Sequence, residues 1–195
     1  MKRPLLLLLI IGMITCCFSS TKAQSFMHSA GLTWNLLNLT TSNTANSNQT
    51  TALFTNFTWF PRYILVSGDY NSLTVGMPLG AGIGIASSYY GASLYYGFDF
   101  PLVLDYNFGM KSTPGNFDKP GGYFGAGFGY TLTNWTDGGS SDHQNSYGPI
   151  FRGGIRFGAG ERKHPDWGIT IGLSYKLGLE SAKNKTYGIT VLWDF

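Results

Sequence analysis

From Tyr187 to Phe195 the sequence alternates with period two: Tyr187, Ile189, Val191, Trp193 and Phe195 are large and apolar, and the residues between them are mostly small or polar. A strand sends alternate side chains to opposite faces, so this segment carries one continuous apolar and aromatic stripe. The stripe ends on Phe195, the last residue of the sequence. A strand in a soluble sandwich would turn such a face to a core. A strand facing lipid needs the same stripe for another reason, with its aromatics at the interface.

The other end favours the lipid reading. Lys2 and Arg3 precede an apolar run from Leu5 to Ile14, and Thr21-Lys22-Ala23 offers the small residues of a cleavage site. Residues 1–23 are therefore expected to be a secretory signal peptide, with 24–195 forming one β-barrel domain. The apolar run is too short for a membrane-spanning helix. Cys16 and Cys17, the only cysteines, would leave with the leader, and with them any disulfide, thiol or zinc chemistry. Lipidation is disfavoured because Thr15 and Cys16 stand where Gly, Ala or Ser would precede the cysteine. Lys2, Arg3 and Lys22 account for the formal charge of +3. The neutral remainder gives no electrostatic footprint for nucleic acid.

Seven further segments alternate: 26–37, 52–66, 72–86, 94–109, 122–132, 147–157 and 167–180. In the cleanest, Trp167, Ile169, Ile171, Leu173, Tyr175, Leu177 and Leu179 oppose Gly168, Thr170, Gly172, Ser174, Lys176, Gly178 and Glu180. The second is mixed, since Phe54, Phe60 and Ile64 share a face with Asn56, Thr58 and Arg62. None has a helical period. Eight such strands predict an all-β fold, an eight-stranded antiparallel up-and-down transmembrane β-barrel with an interior filled by side chains. Closure also removes the edges that lipid does not tolerate. A secreted lipocalin-like binder would turn the large residues inward. Here one set of faces is so aromatic, and the other so small and polar, that the apolar set is expected outward.

This assignment makes Trp34, Trp59, Tyr106, Trp167, Tyr175, Trp193 and Phe195 interfacial aromatics. Arg62, Arg152, Arg156 and Lys176 face inward, with Asp99, Asp105, Glu180 and Asp194 of opposite sign. Buried charges need partners, so a lumen ion-pair network is expected. Glu180 and Asp194 also suit wet rims. The polar stretches 38–50 and 133–146, with 87–93 and 181–185, are expected as external loops, and Ser67 to Asn71 as a short turn at the opposite end. The connections 110–120 and 158–166 are longer than turns at that end require.

Phe60-Pro61-Arg62-Tyr63, the run from Leu73 to Leu79, the run from Pro101 to Gly109 and the terminal strand together resemble small eight-stranded outer-membrane barrels of OmpA/OmpX architecture, especially Bacteroidota-type outer-membrane barrel proteins. The residues Tyr187, Ile189, Val191, Trp193 and Phe195 resemble the signal by which Gram-negative barrels are handed to their assembly machinery. The resemblance implies an outer-membrane address. Its partners would be outer-membrane lipid, the barrel assembly machinery and periplasmic chaperones.

Some outer-membrane barrels are enzymes, and lipid A deacylases carry a His-x-Ser-Asn pattern. His28-Ser29-Ala30 and His143-Gln144-Asn145-Ser146 do not match it, and Asp142-His143 and His164 fall in connecting stretches. The glycines of 80–84 and 125–129 alternate inside strands, where a dinucleotide loop would have to open a helix. Five Asn-x-Thr sequons reflect composition, and the one at Asn56 lies inside a strand. No catalytic residue, metal site or cofactor is expected. Trp135 is the candidate contact for a surface ligand through the external loops. The expected protein is a monomer with a structural or surface-interaction role and a side-chain-plugged polar lumen. A narrow channel for small solutes and a lipid A-modifying enzyme are the alternatives.

Overall fold

The computed structural model describes residues 26–43, 46–88, 91–117, 120–137, 140–159, 167–179 and 184–195. The expected leader, His164 and Glu180 lie outside them. Ten strand segments are present: β1 (Phe26–Asn43), β2 (Asn46–Ser67), β3 (Asn71–Gly76), β4 (Leu79–Ser88), β5 (Gly91–Asp99), β6 (Leu102–Phe108), β7 (Gly121–Asp137), β8 (Ser140–Ala159), β9 (Trp167–Leu177) and β10 (Lys185–Asp194). All pairings are antiparallel, and β10 returns to β1 from Ser29↔Asp194 to Asn38↔Lys185.

The ten segments make eight walls. β3 and β4 are one wall interrupted at Met77-Pro78, and β5 and β6 are one wall interrupted at Phe100-Pro101. The register runs through both breaks: Arg62↔Gly76 continues as Trp59↔Leu79, and Asp99↔Thr131 continues as Leu102↔Phe128. Proline has no N–H to give to a ladder, so each break is local. The preceding amides still bond across, Met77 to the Pro61 carbonyl at 3.1 Å and Phe100 to the Tyr130 carbonyl at 2.8 Å. A register shift between Ile64 and Val66 marks a bulge at Leu65. The barrel is thus an eight-stranded antiparallel meander, as the eight alternating segments predict.

Its faces are inverted relative to a soluble protein. Phe57, Ile83, Phe124, Leu173 and Ile189 stand exposed on the outer wall, while Ser29, Asn56, Arg62, Asn107, Arg156 and Asp194 are buried within. The lipocalin-like arrangement is therefore not the one adopted. Inward glycines let neighbouring walls approach. A Cβ on Gly31 would lie 2.1 Å from the Val191 carbonyl oxygen and 2.9 Å from Leu192 Cα. One on Gly127 would lie 2.0 Å from the Leu102 oxygen and 2.7 Å from Val103 Cα.

At the end remote from the termini the structure corrects the expected loops. Stretches 38–50 and 133–146 are mostly ladder: β1–β2 pairing runs out to Asn43↔Asn46, and β7–β8 pairing to Asp137↔Ser140. Trp135 and His143, expected in a loop, lie on these strands. β10 flanks β1 only as far as Asn38, and β4 flanks β2 only from Ala52. The tip of the first hairpin is therefore a two-stranded ribbon standing clear of the ring. The register of β8 with β9 begins at Ile150, so Ser140 to Ser146 also presents an outer edge beyond that ladder. A ladder that runs past its neighbours need not alternate, so polar sequence in these stretches runs through paired strands rather than loops.

Gly31→Val and Gly127→Val should each destabilise the barrel by about 1–3 kcal/mol through overpacking against fixed backbone. Urea unfolding in detergent measures this. Gly115→Ala, where an added Cβ meets nothing within 4 Å, should leave the midpoint unchanged.

Candidate functional site

The inward residues stack in layers along the barrel axis. At the terminal end, Gly109 and Lys111 adopt φ of 64° and 52° and fold residues 109–117 beneath the ring. Met110, Lys111, Ser112 and Asn116 are buried there. Gly109 suits this place because a Cβ would meet the Pro120 oxygen at 2.3 Å, on a backbone other residues rarely adopt. Ser72 Oγ donates to the Ser112 carbonyl at 2.5 Å. Asn116 Nδ2 donates to Ser112 Oγ at 3.0 Å and to the Asp69 carbonyl at 3.2 Å. Much of the long connection read at 110–120 goes into this turn over 109–117.

The next layer carries the charges. Asp194 Oδ1 accepts from Arg62 Nη2 at 2.7 Å and from Ser29 Oγ at 2.5 Å, and Arg62 Nη2 also donates to Ser29 Oγ at 2.7 Å. Asp194 Oδ2 accepts from Thr170 Oγ1 and lies 4.0 Å from Arg156 Nε. Arg156 Nη2 donates to Asn107 Oδ1 at 2.8 Å, and its Nη1 to the Lys111 carbonyl at 3.2 Å. The charged layer is thereby tied to the turn below. Arg152 Nε stands 3.7 Å from Asp105 Oδ1, a contact of ionic range with no hydrogen bond. Aromatic faces share the load of burying three guanidiniums. Arg62 and Arg152 lie 5.0 and 4.4 Å from the Phe60 ring centre, and Arg152 and Arg156 lie 4.8 and 5.0 Å from that of Tyr123.

Above the charges Phe60, Val103 and Leu192 pack together with Ile150 against them. Beyond these opens a cavity of about 70 Å³, lined by Thr33, Asn56, Asp99, Thr131, Arg152 and Lys176 among others. It has room for a few waters. Asp99 accepts from Asn56 Nδ2 at 2.5 Å, Thr131 Oγ1 at 2.6 Å and Asn35 Nδ2 at 3.3 Å. Lys176 Nζ donates to Thr131 Oγ1, so Thr131 links the lysine to the carboxylate. Leu37, Ala52, Phe54 and Tyr95 form an apolar cluster at the remote end.

Of the residues singled out from the sequence, the structure places Arg62, Asp105, Arg152 and Arg156 in one layer and Asp99 with Lys176 in another. Asp194 is not at a wet rim: it is 1% exposed at the centre of the charged layer. Ser29, Asn107, Tyr123 and Thr170 also join the network, which no charge on them signals, although each occupies an inward position of its strand. Lys111 carried no signal, because only the fold of the turn brings it inside. Trp59, Tyr106, Trp193 and Phe195 are exposed on the outer wall, and Trp34, Trp167 and Tyr175 are partly covered. Trp167 stacks on Trp193 with centroids 4.5 Å apart, and His28 stacks between Trp59 and Phe195 at 6.0 and 6.3 Å. In the terminal stripe Tyr187, Ile189, Trp193 and Phe195 are exposed and Val191 is half-buried.

His28 projects outward and Ser29 inward, as adjacent strand residues must, so they form no nucleophile–base pair. No group of three metal-ligating acids, histidines or cysteines gathers among the described residues. Thr131→Val removes a donor from Asp99 and an acceptor from Lys176 in one step. It should cost about 1–3 kcal/mol of unfolding free energy, read from urea titration in detergent.

No family model matches the chain, and no curated protein matches it in sequence. Solved structures do. Ail, the attachment invasion locus protein of Yersinia pestis, is similar with a TM-score of 0.55 at 10% identity, over 89% of this chain and 98% of that one. The outer membrane protein OprG from Pseudomonas aeruginosa is similar with a TM-score of 0.54 at 13% identity, over 90% of this chain and 96% of that one. Neisserial surface protein A gives a TM-score of 0.51 at 13% identity, over 89% and 98%. At such identities the likeness speaks of fold. The chain folds as a small eight-stranded barrel of OmpA/OmpX-like architecture.

Proposed function

We propose that this protein resides in a bacterial outer membrane as a barrel with a structural or surface-interaction role, without catalytic activity, its lumen closed by its own side chains. The observation that carries this reading is the cross-section at Arg62, Arg156 and Asp194, each 1% exposed, with Phe60 and Leu192 packed above it and the 109–117 turn folded below. Any solute path along the axis would have to part ion pairs, an apolar layer and a turn bonded to both walls. Membrane residence is supported by the apolar outer wall and by a ring whose backbone groups pair internally, which is what hydrocarbon demands.

In this reading the lipid partner covers the outer wall, and the terminal stripe is what the assembly machinery and periplasmic chaperones meet during export. The terminal end faces the periplasm and the remote ribbons face the outside. Those ribbons, with backbone edges beyond the ring, supply the surface for partner contact. The protein acts as a monomer without cofactor, metal or nucleic acid.

Fractionation of expressing Gram-negative cells should place the protein in the outer membrane, and its detergent extract should change gel mobility on boiling. A soluble, heat-insensitive product would overturn the membrane reading. In planar bilayers the protein should give no discrete conductance steps. Regular steps would instead favour the narrow channel, and an altered lipid A mass on expression would favour the enzyme.

A further inference from the structure

The partners of Asp194 are distributed in an unusual way. Ser29 and Arg62 come from β1 and β2, while Thr170 and Arg156 come from β9 and β8. The seam between β10 and β1 separates these two groups. In a sheet not yet closed, Asp194 on β10 keeps Thr170 on the adjoining strand and Arg156 on the strand beyond it. Arg62 and Ser29 sit near the opposite edge of that sheet. The strand following β2 offers Arg62 the inward neighbours Thr74 and Gly76, neither of them an acid. In the closed barrel the carboxylate that Arg62 bonds is Asp194, across a sequence separation of 132 residues, while Asp105, two strands away on Arg62's own side of the seam, faces Arg152 instead.

We propose that Asp194 is a closure latch. Its two bonds across the seam form as β10 reaches β1, so pairing of the last strand and neutralisation of Arg62 are one event. The last strand then has two faces with two tasks: Trp193 and Phe195 present the outward stripe, and Asp194 between them fixes the strand to its final neighbour. Phe195 extends the seam by donating its amide to the His28 carbonyl at 3.2 Å. A bonded, buried charge pair at the joining edge also selects register. A slip of one residue would turn Asp194 out of the lumen and leave Arg62 buried without its acid. The latch follows from the fold alone and does not depend on the proposed role of the ribbons.

Thr33 and Thr190 pair across the same seam, facing inward with hydroxyls 3.1 Å apart. Replacing both with cysteine, in the full chain carrying Cys16→Ser and Cys17→Ser, gives a disulfide whose formation reports closure directly. Urea-unfolded protein is diluted into zwitterionic detergent micelles with an oxidant, and the crosslinked band is followed in time. Asp194→Asn should slow crosslinking at least about tenfold, a barrier change of ~1.4 kcal/mol. Asp194→Asn combined with Arg62→Met should recover most of the rate, because removing both members of a buried pair leaves no orphaned charge. Asp99→Asn, an equally inward carboxylate away from the seam, should close at the parent rate. The latch is overturned if Asp194→Asn crosslinks at the parent rate, even if it then unfolds sooner. It is also overturned if the double variant is no faster than Asp194→Asn alone, which covers the case in which that variant fails to fold.

Discussion

A wall with an apolar outer face has to pair its backbone donors and acceptors within itself, and a closed ring of strands does this without leaving an edge. The other features of the structure answer to that constraint. Closure sets the inward faces of eight walls around a narrow axis, where glycines such as Gly31 and Gly127 relieve the approach of neighbouring backbones. It also requires a last strand that recognises the first, and here that junction carries the Arg62–Asp194 pair. Prolines 61, 78, 101 and 149 each remove a ladder donor without breaking the ring, because their neighbours hold the register on both sides.

The interior is polar for a related reason. Strands that were apolar on both faces would lose the alternation that fixes which side faces out, and with it their register. Small and polar residues keep the faces distinct, but buried guanidiniums then need acids, hydroxyls and rings about them. Arg156 is supported by Asn107, Thr170, the Lys111 carbonyl and the Tyr123 face. Asp105 is the less complete member of the network. Its carboxylate has an ion-pair contact with Arg152 but no hydrogen bond, and a Cβ on Gly125 would fall 2.1 Å from its Oδ1.

Much of the barrel wall could be read from the chain because its signal is local. Phe124, Phe128 and Tyr130 alternate with Gly125, Gly127 and Gly129 whatever lies across from them, and all three aromatics are exposed on the outer wall. The misreadings occurred where that logic lapses. Over much of 38–50 and 133–146 two strands pair past the ladders of their outer neighbours, and no alternation distinguishes them from loops. Asp194 reads as an inward residue that also suits a wet rim, and only its partners Arg62, Thr170 and Arg156 place it in the buried layer. The turn at 109–117 was visible only as surplus length, since its fold depends on positive φ at Gly109 and Lys111 and on bonds to β3 and β8.

The sequence by itself determined the number of walls and, along the alternating segments, which face is apolar and outward. Period two is a property of a single strand, and the contrast between Trp, Phe and Leu on one side and Gly, Thr and Ser on the other survives any choice of partner. Only the tertiary structure decided which inward groups meet. That depends on the stagger between neighbouring walls accumulated around the ring, which sets Ser29 opposite Asp194 and brings Arg62 to the same carboxylate. A single strand contains no information about that stagger, because it is fixed by eight pairings closing on one another at once.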